Sequence, residues 1–229
     1  MSLVKMDRLA RYAGWLAYLS AALTIVASVI LVSQYYYALT PSVSAPGGTS
    51  PEDLAHLNEK VGLVVSLFML PLPVALHRLT SARGWGSSWL AMAFGVLGWL
   101  AITITQTLLI ITGVSFEVTQ PFALVGLTLL GAWMILANHF ARAGGALGRW
   151  LSWLGELIGV SFVLAVVAIV LSVLSDALIG TVFALAIPSA LAFVVGFPVW
   201  LIGLGRRLLS VPATQEFSLR DPAAIGAPR

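Results

Sequence analysis

The chain alternates between six long apolar stretches and short segments that hold most of its polar residues. A helix needs roughly 20 apolar residues to cross a bilayer, and each stretch is close to that length or longer. Lipid offers the backbone no hydrogen-bond partner, so these stretches are predicted to be helices; the alternating pattern of barrel strands is absent. The predicted spans are residues 12–35, 61–79, 89–112, 121–140, 150–174 and 178–204.

The basic residues are sorted to one side of these spans. Of the 12 Lys and Arg in the chain, only Lys60 falls on the other side. Cytoplasmic loops collect Lys and Arg, so both termini are predicted to be cytoplasmic. The other basic residues, all on the predicted cytoplasmic side, are Lys5, Arg8, Arg11, Arg78, Arg83, Arg142, Arg149, Arg206, Arg207, Arg220 and Arg229.

A helix start and two pairs of prolines modify this simple pattern. Ser50 is suited to cap a helix that has Pro51 in its first turn, which predicts a short extracytoplasmic helix running into the second span. Pro71 and Pro73 lie in the second span, and prolines also interrupt the sixth, at positions 188 and 198. Each proline removes a backbone donor, so both spans are predicted to bend, and the carbonyls they release could face a cavity.

Composition agrees with a membrane protein. The chain is 59% hydrophobic and 9% charged, whereas a soluble domain carries about 25% charged residues. Its length fits one bundle, predicted over residues 1–211, with a flexible cytoplasmic tail over residues 212–229. The absence of cysteine excludes disulfides and thiolate chemistry. The predicted fold class is all-α, a polytopic transmembrane bundle of six helices with both termini inside.

Glu156 is the only charged residue well inside an apolar stretch. A charge at a helix centre costs about 2.5–3.5 kcal/mol, and less near the cytoplasmic end, where Glu156 falls. Gly155 and Gly159 flank it at a spacing that lets a second helix approach closely. The residue is interpreted either as a proton or cation site or as a structural glutamate that faces a neighbouring helix instead of lipid. Its candidate partners are Tyr18, Asn138, His139 and Arg149.

Polar residues at comparable depths define two candidate sites. Tyr18, His77, Asn138, His139 and Glu156 could form one layer on the cytoplasmic side, if their helix faces converge. An outer patch consists of Thr103, Gln106 and Thr107, which share one face of the third span. Interhelical hydrogen bonds, worth about 0.6 kcal/mol each, are the ordinary explanation for such a patch.

Signatures of enzymes and cofactor proteins are absent from the sequence. The chain has no P-loop, dinucleotide fingerprint or zinc-protease motif. His77 and His139 both lie at the wet edge beside an arginine, which disfavours a haem held by two histidines. No catalytic residue, cofactor or metal ligand is therefore predicted.

Two segments resemble a known group of proteins. Residues 8–16 (RLARYAGWL) are similar to the start of an uncharacterised group of bacterial multispan membrane proteins, a domain of unknown function. Residues 131–133 (GAW), 142–145 (RAGG) and 149–155 (RWLSWLG) are similar to the turn between its fourth and fifth spans. The resemblance implies a bacterial plasma (cell inner) membrane protein and carries over no functional residue.

Three classes of function are compatible with these features. The favoured class is a non-enzymatic membrane protein, either an accessory subunit of a complex or a binder of a small lipophilic molecule. The second is a proton- or cation-coupled transporter or channel that uses Glu156, and the third is an intramembrane enzyme. The expected partners are membrane lipids, a lipophilic small molecule, and other proteins or a second copy of the chain, but not nucleic acid.

The charge sorting predicts the outcome of reporter fusions. A reporter that is active only outside the cytoplasm should give no signal when fused after Arg229, because the positive residues hold that end inside. The same reporter inserted after Gly47, in the predicted outer loop, is the matched control and should be active. A signal at Arg229 would contradict the predicted orientation.

Overall fold

The computed structural model describes residues 3–40, 50–81, 85–174 and 179–210. Helices account for nearly all of these residues, and no strand occurs within the four ranges, which confirms the all-α prediction there. The predicted tail, residues 212–229, lies outside them. The α-helices are α1 (Leu3–Leu39), α2 (Pro51–Met69), α3 (Pro71–Thr80), α4 (Trp85–Thr112), α5 (Phe116–Ala143), α6 (Arg149–Leu174), α7 (Ile179–Leu191) and α8 (Phe197–Ser210).

Six helical stretches within the described ranges are long and apolar enough to cross a membrane, as predicted. The helices α2 and α3 together form one stretch, and α7 and α8 contribute to another through a π-helical segment, Ala192–Gly196. The second stretch begins at Pro51, ten residues before the predicted span. It does so because the short helix that was expected before the second span continues into it without a break.

A capping box starts α2 at the predicted position. Ser50 Oγ accepts a hydrogen bond from the Asp53 N–H at 3.1 Å, and Asp53 Oδ2 accepts one from the Ser50 N–H at 2.9 Å. Pro51 lies in the first turn, where its missing N–H leaves no gap in the helix. The reciprocal pair bonds two backbone groups that the end of a helix would otherwise leave unpaired.

Prolines interrupt the helical hydrogen bonds of the second span. The hydrogen-bond ladder of α2 ends at Met69, and α3 starts at Pro71. Between them, Leu70 keeps right-handed helical dihedral angles, and its N–H donates to the Leu67 carbonyl at 3.4 Å. The backbone therefore stays right-handed and helical through Leu70, but it lacks the regular hydrogen bonds that Pro71 and Pro73 cannot donate.

The helices pack in chain order and close into a ring. The α2–α3 pair packs against α4, α4 against α5, α5 against α6, and α6 against α7. Helix α1 contacts both α2 and α8, which completes the ring. The largest side chains buried between the helices include Trp133, Phe197 and Trp200.

Glycines allow α5 and α6 to approach closely. A Cβ atom added at Gly159 would lie 2.7 Å from the Gly131 carbonyl oxygen and 2.8 Å from the Ile135 nitrogen. Real side chains do not tolerate such contacts with backbone atoms, so this spacing requires glycine. The predicted close approach of a second helix beside Gly155 and Gly159 is confirmed.

This interface predicts an asymmetric response to two glycine substitutions. Gly159→Ala should lower the free energy of unfolding by about 1–3 kcal/mol, because the added methyl group forces α5 and α6 apart. Gly148→Ala is the matched control, since nothing lies within 4 Å of its Cβ position. The measurement is denaturant unfolding of the detergent-solubilised protein. Equal losses in the two variants would contradict the close contact.

Candidate functional site

Glu156 faces helix α5 near the basic end of the bundle, the end that carries Arg142, Arg149 and Arg207. Its Oε1 lies 3.2 Å from Arg142 Nη2 and 3.8 Å from His139 Nδ1. The Glu156 side chain is 14% exposed, whereas Arg142 is 26% and His139 57% exposed. The predicted orientation toward a neighbouring helix is therefore confirmed, with His139 nearby as one of the predicted partners.

Arg142, which the sequence analysis did not name as a partner, is the closest cation to Glu156. Its guanidinium carbon also lies 4.3 Å from the centre of the Trp153 ring, a distance typical of a cation–π contact. Glu156 Oε1 is close enough to Arg142 for an ion pair but makes no hydrogen bond with it. The hairpin explains the pairing, because Arg142 lies in the last turn of α5 and Glu156 lies two turns into α6.

Asn138 is adjacent to His139 in sequence but is fully buried in a different contact. Its Oδ1 accepts a hydrogen bond from Trp200 Nε1 at 3.0 Å, and its Nδ2 donates to the Met134 carbonyl at 2.7 Å. A Cβ atom at Gly155 would lie 2.2 Å from Asn138 Cγ, so the amide fills the notch that this glycine leaves in α6. Asn138 thus joins α5, α6 and α8.

The remaining residues of the predicted layer lie at other helix interfaces. His77 Nδ1 is 2.7 Å from Ser88 Oγ, which links α3 to α4. Tyr18 on α1 lies against Gly205 of α8, where an added Cβ would be 3.3 Å from the tyrosine ring. Of the five predicted residues, the structure brings His139 and Glu156 together and places Tyr18, His77 and Asn138 in separate contacts.

The outer patch divides into a structural part and a cavity-lining part. Thr103 Oγ1 contacts Ser66 Oγ at 3.0 Å and donates to the Trp99 carbonyl at 2.8 Å, while Thr107 donates to the Thr103 carbonyl. These bonds are of the ordinary interhelical and local kind. Gln106 differs, because it lines a cavity between the helices.

This cavity, which we call the inner cavity, has a volume of about 300 Å³. Its wall combines residues from α1, α2, α4, α5, α6, α8 and the π-helical segment. Most of the wall is aliphatic or aromatic, and Phe162, Phe193 and Phe197 form one side of it. The volume falls at the lower end of the range of about 300–1,000 Å³ that is usual for ligand sites.

Four buried polar atoms without a protein hydrogen-bond partner belong to residues that line the inner cavity. They are Ser28 Oγ, Asn58 Oδ1, Trp99 Nε1 and Gln106 Oε1. The described residues contain eight such atoms, so half of them gather around one cavity. Burying a polar group without a partner costs about 1–3 kcal/mol, so most buried polar groups bond to protein, water or a ligand.

Sequence reasoning identified only Gln106 among these four residues. Ser28 was detectable in part, because Ser20, Thr24 and Ser28 repeat every fourth residue along α1 and all three are buried. Asn58 and Trp99 gave no such signal, since an amide near a helix start and a tryptophan in an apolar stretch are both ordinary at these positions.

A second, open cavity lies between α6 and α7, and we call it the lateral groove. Its volume is about 410 Å³, and it shares Leu127, Phe162 and Phe193 with the wall of the inner cavity. Its two serines, Ser172 and Ser189, donate to carbonyl groups of their own helices. The lateral groove is therefore apolar and adjoins the inner cavity at a pair of phenylalanines.

Comparison with known proteins identifies no relative. No family model, curated protein or solved structure matches the chain. The resemblance to the uncharacterised bacterial group thus stays a prediction. The part of the chain that the structure describes also contains no group of three or more His, Asp or Glu side chains that could hold a metal ion.

The Glu156–Arg142 pair predicts different costs for two substitutions of Glu156. Glu156→Gln should cost about 1 kcal/mol in unfolding free energy, because the amide still offers Arg142 an oxygen. Glu156→Leu should cost about 1 kcal/mol more, because Arg142 then loses its only oxygen partner on the described part of α6 and keeps only the Trp153 ring there. Arg149→Gln, at an exposed arginine of the same hairpin, is the control and should change little. If denaturant unfolding shows Glu156→Leu to be as stable as the natural protein, the pair is not structural.

Proposed function

We propose that this protein is an integral membrane protein that binds a small lipophilic molecule in the inner cavity. The clustering of four unpartnered polar atoms in an otherwise apolar wall carries this proposal. Ligand sites typically have this composition, with apolar walls that bury the ligand and a few polar groups that orient it. A binding role was one branch of the favoured, non-enzymatic class.

The proposed location is the plasma membrane, with both termini in the cytoplasm. In that orientation the basic end of the bundle faces inward. Asn58 lies two turns after the start of α2, and Gln106 lies less than two turns before the end of α4. The inner cavity then occupies the outer half of the bilayer, within reach of lipophilic molecules in that leaflet.

The contacts of Glu156 favour binding over proton- or cation-coupled transport. Glu156 is paired with Arg142 at the basic end and is not among the residues that line the inner cavity. A coupling carboxylate is expected to face the substrate pathway, whereas this one faces a compensating cation at a helix hairpin. An enzyme is not favoured either, because the described part of the cavity wall contains no acidic, basic or histidine side chain.

A cavity-filling substitution tests the proposed function. Ala27 on α1 lines the inner cavity, so Ala27→Phe should fill it and displace the ligand. Ala22→Phe on the same helix is the matched control, because Ala22 is exposed on the outer surface of the bundle. Both proteins would be purified in lipid nanodiscs, and the bound lipophilic molecules would be measured by native mass spectrometry after mild delipidation.

The natural protein and Ala22→Phe should retain the same lipophilic molecule, and Ala27→Phe should lose most of it. Gly62→Val, which narrows the same wall beside Gln106, provides a second variant if Ala27→Phe fails to fold. Equal retention in all four proteins, or no retained molecule in any of them, would refute the proposal.

A further inference from the structure

We infer that the ligand is a neutral single-chain lipid with a hydroxyl head group. The head group lies in the inner cavity, and the hydrocarbon chain extends into the lateral groove. This inference rests on the proposed binding function and deepens it by naming the class of ligand. It combines two independent features: the hydrogen-bonding chemistry of the inner cavity and its shared wall with the lateral groove.

The wall of the inner cavity selects against a charged head group. Among the residues that the structure describes, none that lines this cavity is acidic, basic or a histidine. A carboxylate or phosphate would lose its hydration there without gaining a compensating cation. A charged head group is therefore more stable in water than in this cavity. The head group that enters this cavity is therefore uncharged.

The four unpartnered atoms favour a head group that both donates and accepts, such as a hydroxyl, over neutral head groups that only accept. Asn58 Oδ1 and Gln106 Oε1 can only accept hydrogen bonds, whereas Trp99 Nε1 can only donate one. A hydroxyl group does both, because its hydrogen bonds an amide oxygen while its own oxygen accepts from the indole. A ketone, quinone or simple ester offers acceptors alone and would leave both amide oxygens without a donor.

The shape of the cavities indicates where the chain of the lipid lies. The inner cavity, at about 300 Å³, suits a head group and a short part of a chain. The lateral groove adds about 410 Å³ of apolar space on the far side of Phe162 and Phe193, whose ring centres are 6.0 Å apart. Because its serine hydroxyls are bonded to their own helices, the described lining of the groove offers no free hydroxyl to compete with a hydrocarbon chain.

The π-helical segment places one of these phenylalanines. Phe193 belongs to Ala192–Gly196, where the N–H of Phe197 donates to the carbonyl of Ala192, one residue further than in an α-helix. Pro198 follows at once and cannot donate to the preceding turn. The wider turn carries Phe193 into the wall that both cavities share, between the head-group site and the route for the chain.

A set of probes with one chain and different heads tests the head-group chemistry. The protein would first be freed of its retained ligand and then reconstituted in nanodiscs. Oleyl alcohol, methyl oleate and oleate would be titrated into it, with binding followed by native mass spectrometry. Oleyl alcohol should bind about tenfold more tightly than methyl oleate, as expected for one buried hydrogen bond. Oleate should bind more weakly than oleyl alcohol, because its charge has no partner in the wall.

Two variants on α4 test whether that preference arises in the inner cavity. Gln106→Leu keeps the size of the side chain but removes an acceptor, so the ratio of alcohol to ester affinity should fall toward one. Thr105→Val is the matched control, because Thr105 bonds its own helix and does not line the cavity. A ratio near one in the natural protein, or a ratio that Gln106→Leu leaves unchanged, overturns the hydroxyl assignment.

A comparison of chain lengths tests the route into the lateral groove. Ala186→Phe narrows the groove at a position that does not line the inner cavity. It should lower the affinity for oleyl alcohol at least tenfold and leave the affinity for octanol unchanged. Ile187→Phe, at an exposed position on the same helix, is the control and should leave both affinities unchanged. Equal binding of oleyl alcohol to the two variants overturns the route.

The outcomes separate this inference from the proposed function. If a retained molecule is lost in Ala27→Phe but the probes show no preference for the alcohol, the binding function stands and the hydroxyl assignment is wrong. If no probe binds and Ala27→Phe changes nothing, the binding function itself is wrong, and with it this inference.

Discussion

The hydrogen bond from Trp200 to Asn138 holds together the contacts on which the rest of the bundle depends. Asn138 occupies the notch at Gly155, so its amide fills the space between α5 and α6 at this level. Its oxygen fixes Trp200, whose ring stacks on Phe197 with planes 8° apart and centres 6.1 Å apart. Without the indole N–H, the buried amide oxygen would lose its partner on α8, at a cost of about 1–3 kcal/mol.

The aromatic rings connect this structural contact to the inner cavity. Phe197 stacks on Phe193 at 5.8 Å and on Trp99 at 6.3 Å, and all three residues line the cavity. Aromatic rings have few rotatable bonds, so a stack anchored at Trp200 forms a firm wall. The shape of the proposed ligand site therefore depends on a polar contact outside it, between Asn138 on α5 and Trp200 on α8.

Charged and neutral polar groups have separate places in the bundle. The Glu156–Arg142 pair lies at the basic end, where Arg142 and His139 are partly exposed and the cost of burial is moderate. The neutral groups of Ser28, Asn58, Trp99 and Gln106 belong to residues that surround the inner cavity, away from this pair. Uncharged groups can remain there because a neutral polar atom in an apolar setting costs far less than a charge.

The sequence by itself determined the helical spans, the helix cap at Ser50, the proline break near Pro71 and the close contact beside Gly155 and Gly159. These features are local, because they depend on the length of an apolar stretch, on a missing N–H or on a missing side chain. Only the tertiary structure showed that Arg142 pairs with Glu156, that Asn138 bonds Trp200 and that four polar atoms gather around one cavity. The physical reason is that lipid and protein interior are equally apolar, so both faces of a membrane helix have similar side chains. The pattern along the chain therefore shows that a helix is buried in the membrane but not which neighbour each face contacts.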